Sequence, residues 1–137
     1  MAGINRDTGK LLSGWGHVAQ SLQVLFTTHY GSRVMRRYFG SEVPPLLGEN
    51  LTPRTVLRFC YAVVVAVELW EPRFRVKRVY FNPAGNSPEQ LRAGKLSMAI
   101  HGEYRPRGHL GDPTPARGDY VIAVGLGAGG LEVQPTS

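Results

Sequence analysis

Glu71, Pro72 and Arg73 are the residues of this 137-residue chain best placed for specific work. They follow a long apolar segment and precede a basic one. Proline cannot continue a helix, because it lacks an N–H and clashes with the preceding turn. It also pushes the residue before it out of the helical region. Glu71 and Arg73 are therefore expected at a rigid corner, either displayed for docking or paired locally where a helix stops. Glu68, Glu71 and Glu103 are the acids best suited to buried roles. Retaining glycoside hydrolysis would need two carboxyls about 5 Å apart, and sequence spacing establishes no such pair. Asp7-Thr8-Gly9 spells the aspartic-protease triplet, but that chemistry requires a buried proton-sharing dyad. Here Asn5, Arg6 and Lys10 surround the triplet, and a turn is the reading. Gly125 to Gly130 fits G-x-G-x-x-G, yet a dinucleotide site needs a helix to start there and a strand beyond it. Only seven residues follow Gly130, so 125–137 reads as a flexible Gly-rich tail. His17, His29, His101 and His109 lack metal-ligand spacing. Cys60 is the single cysteine. No catalytic residue, metal, disulfide or cofactor is expected.

The net charge is +6, from 16 Lys+Arg against 10 Asp+Glu, with a pI near 9.9. Such a balance favours an acidic partner, either nucleic acid or a protein surface. Arg33, Arg36 and Arg37 form one cluster, and Arg75, Lys77 and Arg78 follow the corner as another. Together these six are a candidate basic interface, with Arg105 and Arg107 a smaller pair. Arginine suits bidentate protein contacts as well as phosphate. No aromatic residues interleave with these clusters as a single-strand binder requires, and no DNA-reading motif is present. A protein interface is thus favoured over nucleic acid. The apolar run Tyr61–Val67 is too short to cross a hydrocarbon core of about 30 Å, so no membrane role is expected, and the first twenty residues show no signal-peptide pattern.

The elements that must hold the corner read as follows. Residues 1–14 are an extended arm or early hairpin, turning at Asp7–Lys10. A helix runs from about Gly16 to Thr28, with Trp15, Val18, Leu22, Leu25 and Phe26 on one face and Gly31 as its left-handed cap. A connector over 31–51 contains Pro44-Pro45. Thr52-Pro53 opens a second helix as N-cap and first helical residue. It continues to Trp70 with Val56, Leu57, Cys60, Val63, Val64 and Val67 in a stripe, and it reads as buried nearly all round. Strands follow at Phe74–Phe81, Lys95–Tyr104 and Tyr120–Val124. A short capped helix starts at Ser87-Pro88, and 105–119 is a proline-rich mobile loop. The sum is one α+β domain, two main helices on a small mixed or antiparallel sheet.

Several stretches, in this order, resemble a known family. They are Ile4-Asn5-Arg6-Asp7-Thr8-Gly9-Lys10, Gly14-Trp15-Gly16-His17-Val18-Ala19-Gln20-Ser21, Leu25-Phe26-Thr27-Thr28, Gly31-Ser32-Arg33-Val34-Met35, Phe39-Gly40-Ser41 and Glu71-Pro72-Arg73. The set looks like the baseplate wedge or sheath-initiator family of contractile tails, with Arg36-Arg37 where relatives often carry Arg-Pro. The resemblance implies a structural wedge domain at 15–124, preceded by the arm and followed by the tail. It implies that Glu71, Pro72 and Arg73 dock onto baseplate wedge proteins. It further implies that tail sheath adds a strand to an edge supplied by Tyr120, Val121, Ile122, Ala123 and Val124. Hub or tube proteins are further implied partners, with several copies per baseplate in a virion tail assembled in the host cytoplasm. Some relatives carry a lysozyme label, so a cell-wall hydrolase is the alternative function, and a nucleic-acid-binding domain the third.

Overall fold

A computed structural model describes residues 2–46, 49–127 and 129–136. Ala2–Ile4 (β1) and Leu11–Ser13 (β2) form a small antiparallel hairpin. The Asn5 side chain closes its turn by accepting from the Asp7 and Thr8 amides. Gly14–Thr27 is the first long helix, α1, starting two residues earlier than its apolar pattern indicates. It buries Val18, Ala19, Leu22, Leu25 and Phe26. Gly31 does not cap it: Thr28 is already extended, and Gly31 lies in a separate turn bonded to the Arg37 carbonyl. The connector is tied back to α1 by buried Ser41, whose amide and hydroxyl donate to the Thr28 and Leu25 carbonyls. A single turn of helix, Val43–Leu46 (α2), follows.

Pro53–Trp70 is α3. The Thr52 hydroxyl accepts from the Thr55 amide and Pro53 occupies the first turn, as the residue types dictate. Its core face is Thr55, Phe59, Val63, Ala66 and Val67. The expectation of burial all round is corrected: Leu57, Tyr61, Val65 and Leu69 are between 49% and 66% exposed. The neighbouring elements cover only one side of the helix, and hydrophobic composition alone does not say which side. Cys60 is half-buried, and burial pushes its thiol pKa up.

Four strands make the main sheet: Phe74–Tyr80 (β3), Leu96–Tyr104 (β4), Tyr120–Gly127 (β5) and Gly130–Thr136 (β6). They run as an antiparallel meander in chain order, which settles the mixed-or-antiparallel alternative. Between β3 and β4 lies Pro88–Arg92 (α4), opened by a Ser87/Gln90 capping box. Leu96, Met98, Ile100, Ile122, Val124 and Leu131 alternate onto the face that meets the helices. Contacts join α3 to β3 and α1 to β6. The loop read as mobile is anchored at both ends, the Arg105 amide on Arg73 and the Ala116 amide on Tyr104.

The tail reading of 125–137 is also corrected. β5 continues through Gly127, which pairs with Gly130, and the chain returns as β6. Gly130 sits at φ +98°, a conformation that suits glycine and lets the chain reverse. Glycines that looked like flexibility belong to a hairpin, Gly125 and Gly127 in β5 and Gly129 in the turn, and the folded domain extends past 124 to buried Leu131.

Candidate functional site

At the end of α3 the Glu71 amide donates to the Val67 carbonyl at 2.9 Å, and the Phe74 amide returns to the Glu71 carbonyl at 3.2 Å. The chain turns around Pro72, and the two flanking side chains fold onto each other. Arg73 Nε lies 2.7 Å from Glu71 Oε1 and Nη2 lies 2.8 Å from Oε2. Their side chains are 6% and 3% exposed. This is the bidentate arrangement that makes guanidinium–carboxylate pairs strong and directional. The third nitrogen, Nη1, lies 2.6 Å from Nδ1 of His17 on α1. A guanidinium has donors only, so His17 accepts on Nδ1 and is neutral. Burial holds its pKa below the ordinary value, the Arg73 charge adds to that, and the Glu71 charge opposes it.

The corner is therefore rigid, as expected, but its charges are not on display. They satisfy each other inside the fold. The outward element is Pro72, which shares the rim of an open groove with exposed Glu68 and Arg75 and with Arg105, Asp112 and Pro113. The groove's loop presses close: a Cβ on Gly108 would overlap the Pro72 carbonyl oxygen. Behind the corner, Trp15 packs on Phe74, Tyr104 and Tyr120 with ring centroids 4.8 to 5.4 Å apart.

Three of the six candidate basic residues have local engagements. Arg33 lies over the Phe39 ring at 4.5 Å and Arg36 at 5.5 Å. Lys77 bonds Glu103 at 2.9 Å, and Arg105 bonds the other Glu103 oxygen at 3.2 Å. Those hydrogen bonds hold the Glu103 carboxyl below the usual range. Arg37, Arg75 and Arg78 are exposed.

Tyr120–Val124 was expected to supply an open edge. It does not, because β5 pairs with β4 on one side and β6 on the other. The sheet ends instead at β3 and β6. On β6, the Gln23 side chain of α1 donates to the Leu131 carbonyl at 2.8 Å and accepts from the Val133 amide at 2.7 Å. One turn earlier Gln20 does the same to the first hairpin, donating to Ile4 and accepting from Arg6, both at 2.9 Å. On β3 the Val76 amide donates to the Glu68 carboxylate at 3.2 Å. Sequence reasoning missed His17, Gln20 and Gln23. Glutamines on the polar side of a helix carry no periodic signal for such bonds. β6 itself did leave one, since Leu131 and Val133 alternate with Glu132 and Gln134.

Residues 13–108 match the family described as baseplate wedge protein gp25 (GPW_gp25). That span carries α1, α3, the corner and β4, and stops short of β5 and β6. Baseplate protein W of Escherichia phage P2 is 29% identical over 106 residues, which is 77% of this chain and 86% of that protein. A chain of the postcontracted pyocin R2 baseplate superposes with a TM-score of 0.59 at 25% identity, covering 77% of this chain and 99% of its own. A chain of the anti-feeding prophage baseplate gives 0.50 at 30% identity, covering 64% and 70%. A Geobacter sulfurreducens protein named as a tail lysozyme gives 0.58 at 22% identity over 93% and 96%, and shares the fold.

Proposed function

The chain belongs to the GPW/gp25 family of baseplate wedge proteins, structural components of contractile tails, and from that premise we propose that it docks to wedge subunits through the Glu71–Arg73 corner and starts sheath assembly at a sheet edge. The observation that carries this reading is the family match over residues 13–108, which spans the corner and both long helices. Glu71 and Arg73 hold the turn, and Pro72 with exposed Arg75 presents it to a wedge neighbour. Sheath adds its strand to β6 rather than to β5, gaining affinity from main-chain hydrogen bonds. Hub or tube proteins complete the surroundings. The protein works in several copies in a tail baseplate assembled in the host cytoplasm.

Two features favour a scaffold over a hydrolase. Both Glu71 oxygens are bonded to Arg73. A general acid needs its pKa raised towards the working pH, whereas Glu103 and Asp112 are both shifted down, by bonds to Lys77 and Arg105 and by bonds to Thr114. Nucleic-acid binding is disfavoured by the engagement of Arg33, Arg36, Arg73 and Lys77 in contacts within the protein.

Co-assembly with the wedge and sheath proteins of its own gene neighbourhood, read by pull-down and negative-stain microscopy, tests the reading. Wild type is expected to seed baseplate-attached sheath. Arg75→Glu is expected to fold and lose the wedge partner. Val133→Pro, which removes the outward donor of β6 and its bond to Gln23 while leaving the pairing with β5 intact, is expected to keep the wedge and lose sheath. Retention of wedge by Arg75→Glu would remove the corner rim as the dock. Wild type binding neither partner would overturn the role.

A further inference from the structure

Edge strands are templates for uncontrolled pairing unless something covers them. Along β6 the outward backbone row is identified by its bonds: the Val133 amide points to Gln23 and away from β5, as does the Leu131 carbonyl. Outward groups recur every second residue, so Pro135 belongs to the same row, and proline supplies no donor there. One primary amide thus occupies the two central hydrogen-bonding positions of the edge. It donates to the carbonyl of residue 131 and accepts from the amide of residue 133, the two bonds that one residue of an adjoining parallel strand makes. Gln20 clips Ile4 and Arg6 in the same pattern. Both clips flank an open groove of about 410 Å³ lined by Asn5, Leu12, Gln20, Gln23, Val133 and Pro135 among others.

We infer that Gln23 is a removable strand surrogate, and that the β6 edge beside this groove receives an extended segment of a partner subunit only by exchange with the Gln23 amide. The proposal rests on the strand-addition reading above. It specifies the surface, centred on 131–133. It also specifies the partner: a parallel strand that donates to the Leu131, Val133 and Pro135 carbonyls and accepts from the Leu131 and Val133 amides, with no donor to meet at 135. Exchange conserves the hydrogen bonds of the edge, because each bond that Gln23 gives up is remade by the incoming backbone. Before assembly the same side chain keeps the edge from pairing with other copies.

The test compares wild type with Gln23→Met, a straight-chain helix former that cannot make either bond. Amide exchange at Val133 is expected to be roughly tenfold faster in Gln23→Met, the cost of one lost hydrogen bond. Purified sheath protein is expected to associate faster with the variant, and to protect the Val133 amide in both proteins. Unchanged Val133 exchange in the variant would overturn the proposal, and so would sheath that binds without protecting Val133. If sheath binds neither protein, the sheath reading falls separately. The surrogate is then judged by sedimentation: self-association of Gln23→Met where wild type is monomeric upholds it, and a monomeric variant overturns it.

Discussion

Cutting the Glu71–Arg73 pair on one side should cost far more than removing it whole. Arg73→Met deletes two bonds of 2.7 and 2.8 Å to a carboxylate that is 3% exposed. What remains for Glu71 within the corner is a long contact of 3.4 Å from the Arg73 amide. A buried charge stripped of its partner costs about 3–5 kcal/mol, whereas exchanging the whole pair for apolar groups of similar volume is often close to neutral. Native stability is about 5–15 kcal/mol, so the single variant should lose about a fifth of it or more. With a urea slope near 2 kcal/mol/M, a loss of about 4 kcal/mol moves the unfolding midpoint down by about 2 M. Glu71→Leu should cost a similar amount, because it leaves the guanidinium unpaired beside His17. The double variant Glu71→Leu/Arg73→Met should recover most of the combined loss. Urea melts of all four proteins give the coupling directly. Losses that simply add, within about 0.5 kcal/mol, would refute the pair as a coupled buried unit.

His17 makes stability depend on pH. Its folded pKa is depressed, so the unfolded chain binds more protons once the pH drops below about 6.5. Stability should be flat above that value and fall below it. Urea midpoints at pH 5 and pH 8 should therefore differ in wild type, and differ less in His17→Gln. Gly108→Ala should destabilise by about 1–3 kcal/mol, as overpacking does, because its methyl meets the Pro72 carbonyl; a calorimetric melt indistinguishable from wild type would count against that contact. Tyr61→Ser on the exposed side of α3 should change stability by no more than about 0.5 kcal/mol, and a larger drop in its thermal midpoint would mean that this side is covered.

Much of the fold was legible because proline and helical periodicity are strong local signals. Pro53 and Pro72 bracket α3, and Thr52 and Ser87 cap their helices as their types require. The alternation of Leu96, Met98 and Ile100 identifies the core face of β4. Glycine was the weak point. The same residue type marks both a mobile terminus and a tight reversal, and at Gly130 the second meaning holds. Burial around α3 was illegible for a related reason. Valine and tyrosine on its outer side have the composition of a core, but which side is covered depends on the placement of distant elements. At the site, the corner was visible and the fate of its charges was not. Whether Glu71 and Arg73 face out or pair depends on His17 and on the loop at Gly108, residues far away in sequence.

Two kinds of polar contact meet in this small domain, and their energetics assign them opposite roles under load. The Glu71–Arg73–His17 cluster is desolvated, so opening it exposes charges to an apolar surround with no substitute at hand. A joint built on it holds its shape. The Gln23 clip on β6 is partly exposed and neutral. Each bond there is worth about 0.5–1.5 kcal/mol net, and an incoming strand can replace each one as it leaves. If sheath and wedge are joined through this protein as proposed, force passed between them would find the corner stiff and the β6 edge exchangeable. That asymmetry is what a subunit needs if it is to stay fixed to one neighbour while it accepts another.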